Sequence, residues 1–154
     1  MPLLKFVHRQ FLPALEEPLH EVTLADWCAN PQAHAYATAL VVSNDASLAE
    51  IHLDLNGFDS IVLDFPSFTD GRAFSQARLL RERYGFAGEI RARGEILRDQ
   101  IFFMTRCGID AFEFDGVRAS AMQDALHEFT FAYQPAADGA DPVWRKRGQR
   151  AAAA

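Results

Sequence analysis

The chain has 154 residues, 49% apolar and 23% charged, with a formal net charge of −6, which is the size and mix of one ordinary globular domain able to form a core without a disulfide or a metal. Its two cysteines, Cys28 and Cys107, form no CxxC pair and fall short of the roughly four thiolates of an iron–sulfur cluster. No metal site is therefore assigned. The acidic balance and the interleaving of arginines with acids argue against nucleic acid. No apolar run approaches a membrane span and residues 1–18 lack a signal-peptide core, so a cytoplasmic protein with no membrane partner is expected.

Residues 1–34 read as an N-terminal arm with a short helix over 21–28, Thr23 standing before Leu24 and Asn30-Pro31 breaking it. A single α/β domain is expected over 35–134 and a flexible tail over 135–154. The domain opens with an apolar, partly β-branched strand at 37–42. A helix over 46–55 ends at Asn56-Gly57. The second strand, 60–65, stops at Pro66. Thr69-Asp70 can cap a helix from Gly71 to Gly85 in which Ala73, Ala77, Leu80 and Tyr84 form a stripe. A third strand covers 89–96, and a helix over 97–107 places Leu97, Ile101 and Met104 on one face, with Gly108 after its end. A fourth strand over 111–115, a helix over 119–128 and a last strand or extended tail over 129–133 complete the pattern.

Strands alternating with helices at this spacing imply parallel pairing. The fold class is α/β with about four βα units, arranged as half of a TIM-like barrel or as a small open sheet. Three of the strands carry an unusual signal. Ile61, Leu63 and Phe65 alternate with Val62 and Asp64; Ile90, Ala92 and Gly94 with Arg91, Arg93 and Glu95; Phe112 and Phe114 with Glu113 and Asp115. A parallel sheet covered by helices on both sides is apolar on both, so one face here is expected to form a polar layer, inside a barrel or on an uncovered sheet.

Asp64, Arg91, Arg93 and Glu113 in that layer are the candidate catalytic residues, with a structural ion-pair network as the plainer reading. At the strand C-terminal ends, where βα folds place their chemistry, the loop with Thr69, Asp70, Gly71 and Arg72 at a helix N-terminus is a candidate anion-binding site. Charge is also segregated along the chain. Residues 1–70 hold 2 basic against 10 acidic side chains; residues 71–107 hold 8 arginines against 4 acids; residues 108–144 hold Arg118 against 7 acids. Such segregation steers docking between proteins. His20-Glu21 and His127-Glu128 begin like a zinc-protease motif, but no second histidine follows at helical spacing. No dinucleotide or Walker loop is present, so no cofactor is assigned. Cys107, near a helix C-terminus, reads as core packing.

Several blocks carry a family resemblance: Phe65-Pro66-Ser67-Phe68-Thr69-Asp70-Gly71-Arg72, Ser75-Gln76-Ala77-Arg78-Leu79-Leu80-Arg81, Gly88-Glu89-Ile90-Arg91-Ala92, Leu97-Arg98-Asp99-Gln100, and Arg106-Cys107-Gly108 with Asp110-Ala111-Phe112. In these blocks the chain resembles the domain-of-unknown-function 934 family of proteobacteria, with Ile109 where phenylalanine is expected. The resemblance implies a part in assimilatory sulfite reduction, as an accessory protein assisting the sulfite reductase haemoprotein in assembly or electron delivery. It leaves open an oxidoreductase or small-oxyanion-binding enzyme acting at the strand C-terminal ends. A homodimer of half-barrels is the third expectation, because four βα units leave sheet edges to be covered.

Overall fold

A computed structural model describes residues 3–7, 10–14, 19–48, 54–113, 121, 124–126, 129 and 132–146. Seven strands form one sheet: β1 (Leu3–Val7), β2 (Gln10–Ala14), β3 (Glu21–Thr23), β4 (Ala39–Val42), β5 (Ser60–Phe65), β6 (Glu89–Gly94) and β7 (Ala111–Glu113). Among the described residues, α-helices include α1 (Leu24–Ala29), α2 (Arg72–Glu82) and α3 (Ile101–Arg106), and residues 143–146 are also helical. The strand order is β2-β1-β7-β6-β5-β4-β3. From β3 to β7 the strands are parallel and lie side by side in chain order, so the sheet is open and wound in one direction. Crossovers of one hand that all step the same way put their helices on the same face.

The side chains follow that rule. Val22, Leu40, Val42, Ile61, Leu63, Phe65, Ile90, Ala92, Phe112 and Leu4 share one core with Ala73, Ala77 and Leu80 of α2 and Ile101 and Met104 of α3. Period-2 alternation then turns Glu21, Asp64, Glu89, Arg91, Arg93, Glu113 and Lys5 to the opposite face. The expected polar layer is the face of an open sheet.

Residues 1–34 contribute more than the expected arm and short helix. β1 and β2 pair antiparallel, and β1 also pairs antiparallel with β7, setting Leu4 beside Phe112. Phe11 stacks edge-on against Phe112, with centroids 5.4 Å apart. β3 lies parallel to β4. The edges that four βα units alone would expose, at β4 and β7, are thus paired within the chain. α1 starts where Thr23 Oγ1 accepts the Asp26 N–H at 3.1 Å, as the sequence suggested, but it begins at Leu24 because Glu21 to Thr23 belong to β3.

The third expected strand ends at Gly94 rather than at 96. Gly94 has φ +113°, and a Cβ there would lie 2.3 Å from the Phe65 carbonyl oxygen. Leu97 is not on the helical stripe expected of it: it is extended and exposed, its N–H bonded to Gln100 Oε1, and a 3-10 turn over Arg98–Gln100 precedes α3. Ile101 and Met104 are fully buried, as expected. Residues 55–57 form a 3-10 turn; of the expected 46–55 helix, 46, 47 and 54 are not helical, 48 is in a 3-10 turn, and 49–53 lie outside the described residues. Residues 121 and 124–126 are helical, while 114–120 and the rest of the expected 119–128 helix lie outside them. Residues 129, 132 and 133 are not in a strand; 130 and 131 are outside the described residues.

Candidate functional site

The strand register builds the charged face directly. Asp64 pairs across with Arg93, and Val62 with Arg91, which faces Ala111. Lys5 Nζ lies 2.8 Å from Glu89 Oε2. Arg91 donates to Glu89 Oε1 through Nη2 at 2.7 Å and to Glu113 Oε1 through Nη1 at 3.2 Å. Arg93 donates to Glu113 Oε2 at 2.9 Å and to Glu21 through both terminal nitrogens. Three cations and three carboxylates therefore alternate from β1 to β3. Arg91 and Glu113 are buried, and each is paired on two sides. Burial alone would raise the Glu89 carboxyl, yet Lys5 and Arg91 hold it below the ordinary carboxylate range.

Of the four candidate catalytic residues, Arg91, Arg93 and Glu113 are joined in this ladder. Asp64 stands beside it, half-buried and with no hydrogen-bond partner among the described residues. Its pKa is raised, first by burial; Arg93 opposes the rise and Glu21 and Glu113 add to it. Asp64 and Arg93 lie side by side at the C-terminal ends of β5 and β6, both part-exposed.

Thr69, Asp70, Gly71 and Arg72 are brought together at the start of α2. Gly71 is its N-cap and offers no side-chain cap. Asp70 supplies the acceptor instead: its carboxylate takes the Arg72 N–H at 3.2 Å, Arg72 Nη2 at 2.6 Å and Asn44 Nδ2 at 2.6 Å. These bonds, those of Arg72 foremost, bring Asp70 down to about 2. Thr69 Oγ1 bonds the Ser67 hydroxyl at 3.0 Å. The chain's own carboxylate thus sits where an anion would meet the helix end.

A second constellation escapes sequence reasoning. Arg81, near the end of α2, donates to the carbonyls of Phe86 (2.6 Å), Gly88 (2.8 Å) and Gly108 (3.0 Å) and to Asp110 Oδ2 (2.8 Å). Asp110 Oδ1 in turn accepts the Ile90 N–H at 2.8 Å. Burial pushes Asp110 up to about 6 against the pull of Arg81. Beside this knot opens a cavity of about 410 Å³, walled by Phe6, Phe102, Ile109 and Leu126 and edged by Arg106 and Asp138. A second hollow of about 330 Å³ adjoins it through Phe102 and Arg106 and runs past Phe103, Phe129 and Tyr133. The legible signal was that Arg81 and the Arg106–Asp110 stretch stand in two of the family-like blocks; nothing local says that they meet. Cys107 packs against the core, and its thiol pKa is raised by burial.

A one-way open α/β sheet, helices on one face and an ion-paired ladder on the other, defines the class of protein. The chain belongs to a bacterial family of unknown function, DUF934, whose model matches residues 39–144. No curated protein and no solved structure matches the chain. Among the described residues no helix is long and apolar enough to cross a membrane.

Proposed function

We propose that the chain is an accessory protein of assimilatory sulfite reduction that docks on the sulfite reductase haemoprotein and assists its assembly or electron delivery. The family resemblance supplies the partner, and one structural observation supports a docking role. Phe103 (51% exposed), Phe129 (47%) and Tyr133 (76%) line one hollow beside α3, and Trp144 is 51% exposed. Phe103 and Phe129 are 6.0 Å apart, and the Val143 N–H bonds the Ala132 carbonyl, which sets Trp144 beside the Tyr133 segment. Single exposed aromatics are ordinary, but a cluster of them is the usual anchor of an interface.

The purified chain, immobilised, is expected to retain the haemoprotein at low salt. A Phe103→Asp, Tyr133→Asp double variant, altered only at exposed positions, is expected to weaken retention at least about tenfold, the loss of one hot spot. A haemoprotein that passes through unretained by the unaltered chain sinks the reading.

Asp64 favours a second reading, a small-oxyanion binder or oxidoreductase at the strand C-terminal ends. A half-buried acid of raised pKa beside an arginine is a candidate acid or base. On this reading sulfite raises the melting temperature, and Arg93→Gln abolishes the rise; an unmoved melting curve for the unaltered chain removes it.

A further inference from the structure

We infer that the cavity between Phe6 of β1, the end of α3 and the start of β7 binds a small carboxylate with an apolar body. Its volume, about 410 Å³, lies within the range of small-molecule sites, which combine apolar walls with a few placed polar groups. The walls are Phe6, Phe102, Ile109 and Leu126.

Arg106 supplies the polar group. It is only 9% exposed, and its guanidinium lies over the Phe102 ring, 5.9 Å from the centroid. Nε donates to Asp138 Oδ2 at 3.2 Å and Nη2 to the Gln134 carbonyl at 2.6 Å. Nη1 has no partner among the described residues. Arg106 thus keeps one donor that is uncommitted among the described residues and is not sealed from solvent, and its ion pair is the longer kind, so a carboxylate in the cavity can take that donor. Arg81, the other cation of the lining, is committed to four acceptors and holds the wall in shape.

The acids select the ligand's charge. Asp110 and Asp138 both line the cavity, so a dianion such as phosphate or sulfate would meet two carboxylates with one open donor to offer. A monoanion is the most the site accommodates, and the apolar walls require a hydrocarbon body attached to it. This site lies at the N-terminal end of β7, whereas Asp64 and Arg93 lie at the C-terminal ends of their strands.

The test titrates the full chain with 3-phenylpropanoate, reading backbone amide NMR shifts over residues 105–110. Acetate, which has no body, and 3-phenylpropan-1-ol, which has no charge, are run in parallel. Saturable shifts of these amides with the acid are expected at roughly millimolar affinity, with the alcohol at least about tenfold weaker, since a hydrogen bond to a charged group is lost. Arg106→Gln is expected to bind the acid about tenfold more weakly. Because Arg106 also holds residues 134 and 138, Asp138→Asn provides a second measure: it removes a competing carboxylate and is expected to tighten binding severalfold. No saturable shift, equal binding of acid and alcohol, or weaker binding by Asp138→Asn overturns the assignment.

Discussion

Arg81→Met is expected to lower the free energy of unfolding by about 3 kcal/mol at pH 7, measured by urea unfolding. Methionine keeps most of the stem's packing but makes none of the four bonds to Phe86, Gly88, Gly108 and Asp110. Three carbonyls and a partly buried carboxylate then lose this donor together, Asp110 keeping only the Ile90 N–H among the described residues. Lysine, a compact charge without the planar fork, is expected to recover only part of the loss. The deficit also depends on pH. Asp110 has a folded pKa of about 6 against an ordinary value of 3.8. An acid raised by folding contributes its full stability below the unfolded pKa and loses it as pH rises through the folded one. Without Arg81 that rise is larger, so the variant's deficit is expected to be smaller at pH 5 than at pH 7. Equal deficits at the two pH values would show that Asp110 takes no part.

Gly94→Ala is expected to be as damaging, lowering stability by about 3 kcal/mol and the melting temperature by roughly 6–12 °C for a chain of this size. The φ of +113° is disfavoured for any side chain, and the added Cβ would fall 2.3 Å from the oxygen and 2.9 Å from the carbon of the Phe65 carbonyl. Both are backbone atoms of a fully buried strand residue, and the same carbonyl accepts the Glu95 N–H at 2.7 Å, so neither side yields cheaply. Gly57→Ala is the control. It has open space and no positive φ, and its effect is expected to stay within about 0.5 kcal/mol. Equal melting temperatures for the two variants would refute the close-approach argument.

What could be read in advance was what repeats every two residues. Asp64, Arg91, Arg93 and Glu113 share a face because alternation within β5, β6 and β7 is local, and the apolar partners Leu63, Ala92 and Phe112 mark the other face. How the charges pair was not legible, since Glu21 lies 72 residues before Arg93 and Lys5 comes from a strand without strict alternation. β1 (Leu3-Leu4-Lys5-Phe6-Val7) does not alternate strictly, β2 contains Pro13 and β3 has only three residues, so none carries the period-2 pattern that marks a strand. Thr69 to Arg72 did assemble at a helix end, and Asp70 accepts the Arg72 N–H there as its capping role suggested, but its ties to Asn44 and the Arg72 guanidinium were not legible. Arg81 stands on a helix among other arginines, where solvent exposure is the default reading. Two of its four acceptors come from the loop after α2 and two from the segment that leads into β7.

The pairing of β1 with β7 and of β3 with β4 gives the first 23 residues a further property. One terminal segment fastens both margins of the parallel sheet and so works as a clasp. What it leaves outermost is a three-residue strand on one side and, on the other, a strand interrupted by Pro13, which has no N–H to offer. Both are poor templates for another chain to add to. Losing the segment would bare the paired edges of β4 and β7 at once, so a cut near residue 23 would leave unpaired backbone groups on both margins of the parallel sheet.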